Sequence, residues 1–364
     1  MPRRMKLLPP VILALLMAVV MATAQTPSQS PQPPAKQFRP TDPLPVDPNV
    51  RLGKLDNGLT YYIRRNTEPA KRAELRLVVN AGSVLEEDDQ RGLAHFLEHM
   101  LFNGTRRFKG PELINFLERT GMEFGPDVNA YTSFDETVYM LKIPTDKPEI
   151  IKTSFEVLED WAAYATLDPK EIDEERGIIV EEWRLRDKNA GGRIRDKALP
   201  VLLGGSRYVE RLPIGNMDVV RNAPPEAFQR FYKTWYRPDL MAVVAVGDFD
   251  VNQIEALIRQ HFATLPKPET PKPRPAYSVP DRQETRYLVI SDPEMPYTSL
   301  QISWKRDAHE DKTVADYRES LARNLFNDML NNRFAEIARK PDSPFIFAAA
   351  SSSDLVRTAE LYTI

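Results

Sequence analysis

Residues 92–104 read Gly92-Leu93-Ala94-His95-Phe96-Leu97-Glu98-His99-Met100-Leu101-Phe102-Asn103-Gly104. On a helix, positions four apart share a face, so His95 and His99 direct two imidazoles at one point. Glu98 stands three residues from His95 on the same side. Leu93, Leu97, Met100 and Leu101 form a neighbouring apolar stripe, so this helix is expected to pack on a core while its His-Glu-His face meets a cavity. The pattern His-x-x-Glu-His is the inverted form of the zinc-protease helix. The chain holds four histidines in all, His95, His99, His261 and His309, so two of them in this pattern read as metal ligands rather than as core histidines.

Composition narrows the remaining choices. The chain has no cysteine, which excludes disulfides, thiolate ligands and a cysteine nucleophile, so a metal must sit on His, Asp or Glu. With 49 Lys+Arg against 52 Asp+Glu the formal charge is −3, and no bulk basic field exists to hold nucleic acid. A length of 364 residues with 42% hydrophobic residues predicts two globular domains of ordinary size.

A catalytic zinc takes three protein ligands and leaves one position for water. No downstream histidine is well placed, and the acid-rich helix from Glu171 to Trp183 is the candidate source. On a 3.6-residue period Glu182 shares a stripe with Ile178, Ile179 and Glu175, whereas Glu181 lies with Gly177, Glu174, Arg184 and Lys188. The first stripe is expected to face inward, making Glu182 the third ligand and Glu175 a group that orients a histidine.

Outward from this centre the elements alternate in kind. Strands are expected over 51–55, 59–65 and 74–80, with Asp56-Asn57-Gly58 as a hairpin turn. The motif helix is expected from about Asp89, with Asp88 or Asp89 as its cap and Gly104 at its end. Pro111 opens a second helix to Arg119, and residues 129–143 return to extended character. Helices follow over about 148–165, 169–186, 225–235 and 251–265, with a buried strand over 240–247. This order points to an α+β domain, with strands in hairpins and helices between them, over 49–265 rather than to a doubly wound parallel sheet. Six prolines from Pro266 to Pro280 mark a linker over 266–284. Strands over 287–290 and 300–304, a long helix over 313–339 with a break, and a strand from Phe345 make an incomplete second α+β domain over 285–364. Its shortness reads as the front part of a longer polypeptide.

At the other end, Arg3, Arg4 and Lys6 precede an uncharged run from Val11 to Met21 and the small residues Ala22-Thr23-Ala24. This is the pattern of a secretory signal peptide cleaved after Ala24, which predicts a periplasmic or secreted protein with no stable membrane anchor after cleavage. Residues 25–48, with eight prolines, are expected to form an extended tether.

The residues resemble the pitrilysin family of metallopeptidases, which includes insulin-degrading enzyme and mitochondrial processing peptidase. The resemblance spans roughly residues 51–247. It rests on Gly92 to Met100 with the Phe102-x-Gly104-Thr105 continuation, on Asn129-Ala130-Tyr131-Thr132 before Asp135-Glu136-Thr137-x-Tyr139, and on Glu175-Arg176-x5-Glu182. It implies a mainly antiparallel sheet packed against helices. It further implies one zinc on His95, His99 and Glu182, Glu98 as general base, and Glu175 in support. Asn129, Ala130, Tyr131 and Thr132 would be the edge strand to which a peptide adds. Family members enclose substrate with a second half or partner subunit that supplies an Arg and a Tyr, and no position here matches those two. The implied activity is that of an exported zinc endopeptidase acting on unfolded peptides or small proteins. A peptide-binding or assembly subunit without activity is the competing reading, and the complete motif argues against it.

Overall fold

The computed structural model describes residues 38–364 apart from 111, 188 and 283. The segment expected to be a signal peptide, the first part of the expected tether and Pro111 therefore lie outside the described residues. The first strands are β1 (Val50–Lys54), β2 (Thr60–Arg65) and β3 (Arg72–Val79), followed by helices α1 (Leu93–Asn103) and α2 (Glu112–Arg119). Strands β4 (Val128–Thr132) and β5 (Thr137–Pro144) lead to five helices. These are α3 (Pro148–Ala163), α4 (Pro169–Asp187), α5 (Ala190–Leu202), α6 (Met217–Asn222) and α7 (Pro225–Trp235). Then come β6 (Met241–Gly247), α8 (Val251–Phe262), β7 (Ser303–Asp307), α9 (Val314–Ala338), β8 (Ser351–Val356) and β9 (Ala359–Thr363).

Six strands form one sheet in the order β1-β2-β6-β3-β5-β4. Among its described pairs only β2 and β6 run parallel, so the sheet is mixed and mainly antiparallel, as the α+β expectation requires. Period-two burial explains why it holds a core: Ala73, Leu75, Leu77 and Val79 of β3 and Met241, Val243 and Ala245 of β6 are buried, while the residues between them are half-buried. Helices α3 and α8 pack on this sheet, and α1 packs against α4, α7 and β4. The Asn57-Gly58 turn forms as expected. Gly58 adopts φ +101°, and the Asn57 side chain donates to the Phe262 carbonyl at 2.7 Å, tying the hairpin to α8.

A second tie holds α8 to the sheet edge. Glu255 accepts from Tyr61 Oη at 2.7 Å, Arg51 Nη1 at 2.8 Å and Arg259 Nη2 at 2.9 Å. These bonds, Tyr61 first, hold its carboxyl down to about 2 from 4.5. A depressed folded-state value contributes stability above about 4.5 that is lost as pH falls through about 2. Glu255→Gln should therefore lower stability at pH 7, by under about 1 kcal/mol because the group is partly solvated, and by less at pH 3. Urea midpoints of both proteins at the two pH values check this; an equal gap at both would refute it.

A three-stranded sheet in the order β7-β9-β8 lies beyond residues 263–302, which carry no helix or strand among the described residues. Arg274 in this stretch donates to the Asn80 carbonyl at 2.8 Å and to Asp135 at 3.1 Å, so the run is fastened to the first sheet. Residues before β1 are fastened too: Leu44 N donates to Lys312 O and Val314 N to Asp42 O, each at 3.0 Å. No described helix is long and apolar enough to cross a membrane.

The elements depart from expectation in several places. Residues 287–290 form no strand; Tyr287 and Val289 are exposed, and β propensity without a pairing partner does not make a strand. Strand β7 begins at Ser303 rather than residue 300, β8 begins at Ser351 rather than 345, and α9 runs unbroken. Helix α5 is absent from the sequence expectation, which places no element between residues 186 and 225; the helix carries Gly191, Gly192 and Pro200. It forms because Asn189 caps it, its side chain accepting from Gly192 N at 2.9 Å.

Candidate active site

The site is built on α1, and α1 starts in an unusual way. Its cap position is Gly92, at φ +105°, which offers no side chain to the first-turn N–H groups. Those groups are satisfied from outside the helix, Glu86 Oε1 accepting from Ala94 N at 2.8 Å and Oε2 from Gly92 N at 3.0 Å. Asp88 and Asp89, expected as caps, form a separate 3-10 turn and face Arg211 and Arg230. A Cβ on Gly215 would lie 2.1 Å from the Gly92 Cα, so backbone meets backbone here, and Asn216 N donates to Arg91 O at 3.1 Å. The end of α1 also differs in its reason. Gly104 is extended rather than left-handed, and it is small because a Cβ there would meet Thr166 Oγ1 at 2.7 Å.

Along α1 every residue from Leu93 to Phe102 except His99 is buried, so the apolar stripe packs as expected. His95 and Glu98 are each 7% exposed, and His99 is half-buried. The partner helix α4 buries Ile172, Glu175 and Ile179, and continues this stripe to a half-buried Glu182. Ile178, expected on the same inward stripe, is 56% exposed, because the buried stripe is narrower than the one assumed and Ile178 lies to its side.

The two helices bring three donors together. Glu182 Oε2 lies 3.5 Å from His95 Nε2 and 3.5 Å from His99 Nε2, and the three ligand atoms are all within 4.8 Å of one another. These separations are too long for hydrogen bonds. They suit a shared cation, since zinc bonds of about 2.0–2.2 Å set neighbouring ligands of a tetrahedron about 3.3–3.6 Å apart. The donor types, two imidazoles and one carboxylate, also suit zinc.

Electrostatics favour a free lone pair on His95 and a held proton on His99. Burial, then the neighbouring His99, lowers His95 to about 4, so its ring is neutral at pH 7. Burial acts to lower His99 as well, but the hydrogen bond to Glu175 and the charges of Glu98, Glu175 and Glu182 outweigh it and raise the group. His99 Nδ1 sits 2.9 Å from Glu175 Oε1, which assigns the ring proton to Nδ1 and leaves Nε2 facing Glu182. Asn103 Nδ2 donates to Glu175 Oε2 at 2.6 Å and fixes that carboxylate in turn. His95 Nδ1 is buried with no partner among the described residues.

Glu98 stands beside the donors. Burial raises its carboxyl above the usual range against the pull of Thr132 and His99. Thr132 Oγ1 donates to Glu98 Oε2 at 2.6 Å, which connects the motif helix to β4. Asn129, Ala130, Tyr131 and Thr132 all lie on β4, an edge strand that pairs only with β5 among the described strands. Asn129 and Tyr131 are exposed. Tyr139 and Trp161 are core residues.

Four residues escaped sequence reasoning: Glu86, Asn103, Thr132 as the partner of Glu98, and Arg186. Two of them carried a local signal, since Asn103 follows His99 by four residues on α1 and Arg186 follows Glu182 by four on α4.

Residues 61–199 match the family described as insulinase (peptidase family M16), and residues 222–357 match the peptidase M16 inactive domain. The chain is 41% identical over 311 residues to a zinc protease PQQL-like protein of Arabidopsis thaliana, covering 85% of this chain and 32% of that one. It is 37% identical over 308 residues to the probable zinc protease PqqL of Haemophilus influenzae, covering 84% and 33%. The chain thus spans about a third of the length of these curated relatives. Its fold superposes on the first half of the periplasmic protease PqqL from Escherichia coli with a TM-score of 0.81 and 31% identity. That alignment covers 90% of this chain and 69% of the other. It superposes on pitrilysin with a TM-score of 0.67 at 20% identity, a likeness of fold. With the inverted zinc-protease helix, the acidic helix beside it and both matched segments in one chain, the protein belongs to peptidase family M16, the insulinase family.

Proposed function

We propose that this chain is the catalytic part of an exported zinc endopeptidase that hydrolyses peptide bonds in unfolded peptides or small proteins. The observation that carries this reading is the convergence of His95 Nε2, His99 Nε2 and Glu182 Oε2 beside the buried carboxyl of Glu98. One zinc held by those three residues would acidify a water and polarise a peptide carbonyl. Glu98 takes a proton at one carboxylate oxygen and returns it to the leaving amine, while Thr132 keeps Oε2 oriented. A carboxyl raised by burial is suited to this exchange near neutral pH. Glu175 keeps the His99 proton on Nδ1. The exposed edge of β4 receives substrate as an added strand, through main-chain bonds that need little side-chain specificity. The residues that hold the metal fall within 49–265, and 285–364 begins a second unit of the same kind. Further polypeptide, as in the longer relatives, would close a chamber over the site. Export is supported by the N-terminal basic-apolar-small pattern and by the periplasmic PqqL relative.

Cleavage of a quenched, unstructured peptide by purified residues 25–364 with zinc, with and without a strong chelator, tests this reading. Chelator-sensitive cleavage is the expected result. One zinc per chain without cleavage would assign the missing step to a second half or partner subunit, and failure to bind zinc would overturn the proposal.

A further inference from the structure

Glu182 has two carboxylate oxygens, and the structure divides them. Oε2 faces His95 Nε2 and His99 Nε2 at 3.5 Å each, while Oε1 accepts from Arg186 Nη1 at 2.7 Å. Arg186 lies one turn further along α4, with its side chain 65% exposed and its partner Glu182 24% exposed. Glu four residues ahead of Arg is the favourable order on a helix. An exposed pair of this kind contributes little to folding. Its interest lies in what it does to Glu182, because a carboxylate free to turn offers a metal one oxygen or two.

The same helix carries an internal comparison. Arg184 pairs with Glu181 at 3.4 Å, with side chains 61% and 58% exposed, on the face away from the histidines. Glu181 is not part of the His95, His99 and Glu182 cluster. The Arg186 pair, by contrast, joins a half-buried carboxylate whose second oxygen points at two imidazoles.

Resting on the zinc-site reading above, we infer that Arg186 is a positioning residue that holds Glu182 Oε1 and so presents Oε2 alone as the third metal ligand. Arg186 acts through Glu182, and its role is to keep the carboxylate single-oxygen and leave the fourth position open for water. Lysine in its place would hold one oxygen as a point charge, less rigidly than the planar guanidinium. Removing the side chain frees the carboxylate to close on the metal with both oxygens and raise the coordination number.

The test uses the purified chain loaded with cobalt(II), whose visible absorption is intense in tetrahedral sites and weak at higher coordination, together with zinc affinity from chelator competition. Expected results are a parent-like spectrum and affinity for Arg184→Ala. For Arg186→Ala we expect a marked loss of band intensity with a zinc affinity about tenfold lower, the smaller end of the usual effect of losing a ligand's orienting partner. Arg186→Lys should recover most of the band. Both arginines are exposed, so an unchanged urea midpoint is expected for each variant. A cobalt spectrum for Arg186→Ala that overlays the parent, with affinity within twofold or higher, overturns the inference and leaves the zinc site standing. A parent chain that takes up no cobalt removes the zinc-site reading itself, and this inference with it.

Discussion

Glu98→Gln is expected to lower kcat on an unstructured peptide by about 10²–10⁴-fold while the protein still binds one zinc. The substitution keeps the shape of the side chain and removes its ability to take a proton. Nothing else at the site needs to change. The amide carbonyl of the variant can still accept the Thr132 hydroxyl that Glu98 Oε2 accepts at 2.6 Å, so β4 stays tied to the helix. The two imidazoles and Glu182 do not rely on Glu98 for a hydrogen bond, so the metal donors keep their places. Burial penalises the charged form of Glu98, so a neutral amide should leave the urea midpoint equal or slightly higher. Measuring kcat and zinc content on one preparation separates the roles. Zinc retained with activity lost supports the general base, whereas activity within tenfold of the parent would remove Glu98 from that role.

How much of this was legible in the sequence depended on distance along the chain. His95, Glu98 and His99 lie within one turn and a half, and the period of a helix alone placed them on one side. Glu182 follows from a face argument on a second helix; Glu175 and Ile179 are buried as that face requires, whereas Ile178, assigned to the same face, is exposed. The bonds that orient these residues join segments far apart. Asn103 to Glu175 spans 72 residues and Thr132 to Glu98 spans 34, and no local pattern encodes which helix will lie beside which strand. The start of α1 shows the same limit. Acids next to a helix are the expected caps, yet the acceptor is Glu86, brought back by a turn at Gly92. Strand propensity at 287–290 misled for a related reason, since a strand exists only with a partner to bond.

Glu86→Ala should destabilise the fold by roughly 2–6 kcal/mol, because it leaves the N–H groups of Gly92 and Ala94 buried and unpaired at about 1–3 kcal/mol each. Glu86 is fully buried, so water has no easy route to replace the lost acceptor. The same burial pushes its carboxyl up to about 8 from 4.5, against the opposing pull of Ala94 N–H, Gly92 N–H, Arg211 and Arg207. A raised folded-state value contributes stability that is complete below about 4.5 and is lost as pH rises through about 8. The gap between the parent and Glu86→Ala should therefore be widest below about pH 4.5, still large at pH 5, and shrink towards pH 8.5. Glu86→Gln should fall between them and vary less with pH, because it keeps one acceptor and cannot titrate. Urea midpoints of the three proteins across that range decide the matter, and a gap under about 0.5 kcal/mol at pH 5 would show that α1 is capped by other means. Ala94 adjoins His95, so fraying of this turn loosens the first metal donor, and zinc affinity should fall along with stability. A variant that lost stability but bound zinc as tightly as the parent would show that packing of Leu97, Met100 and Leu101, all buried, is enough to hold the histidines in place.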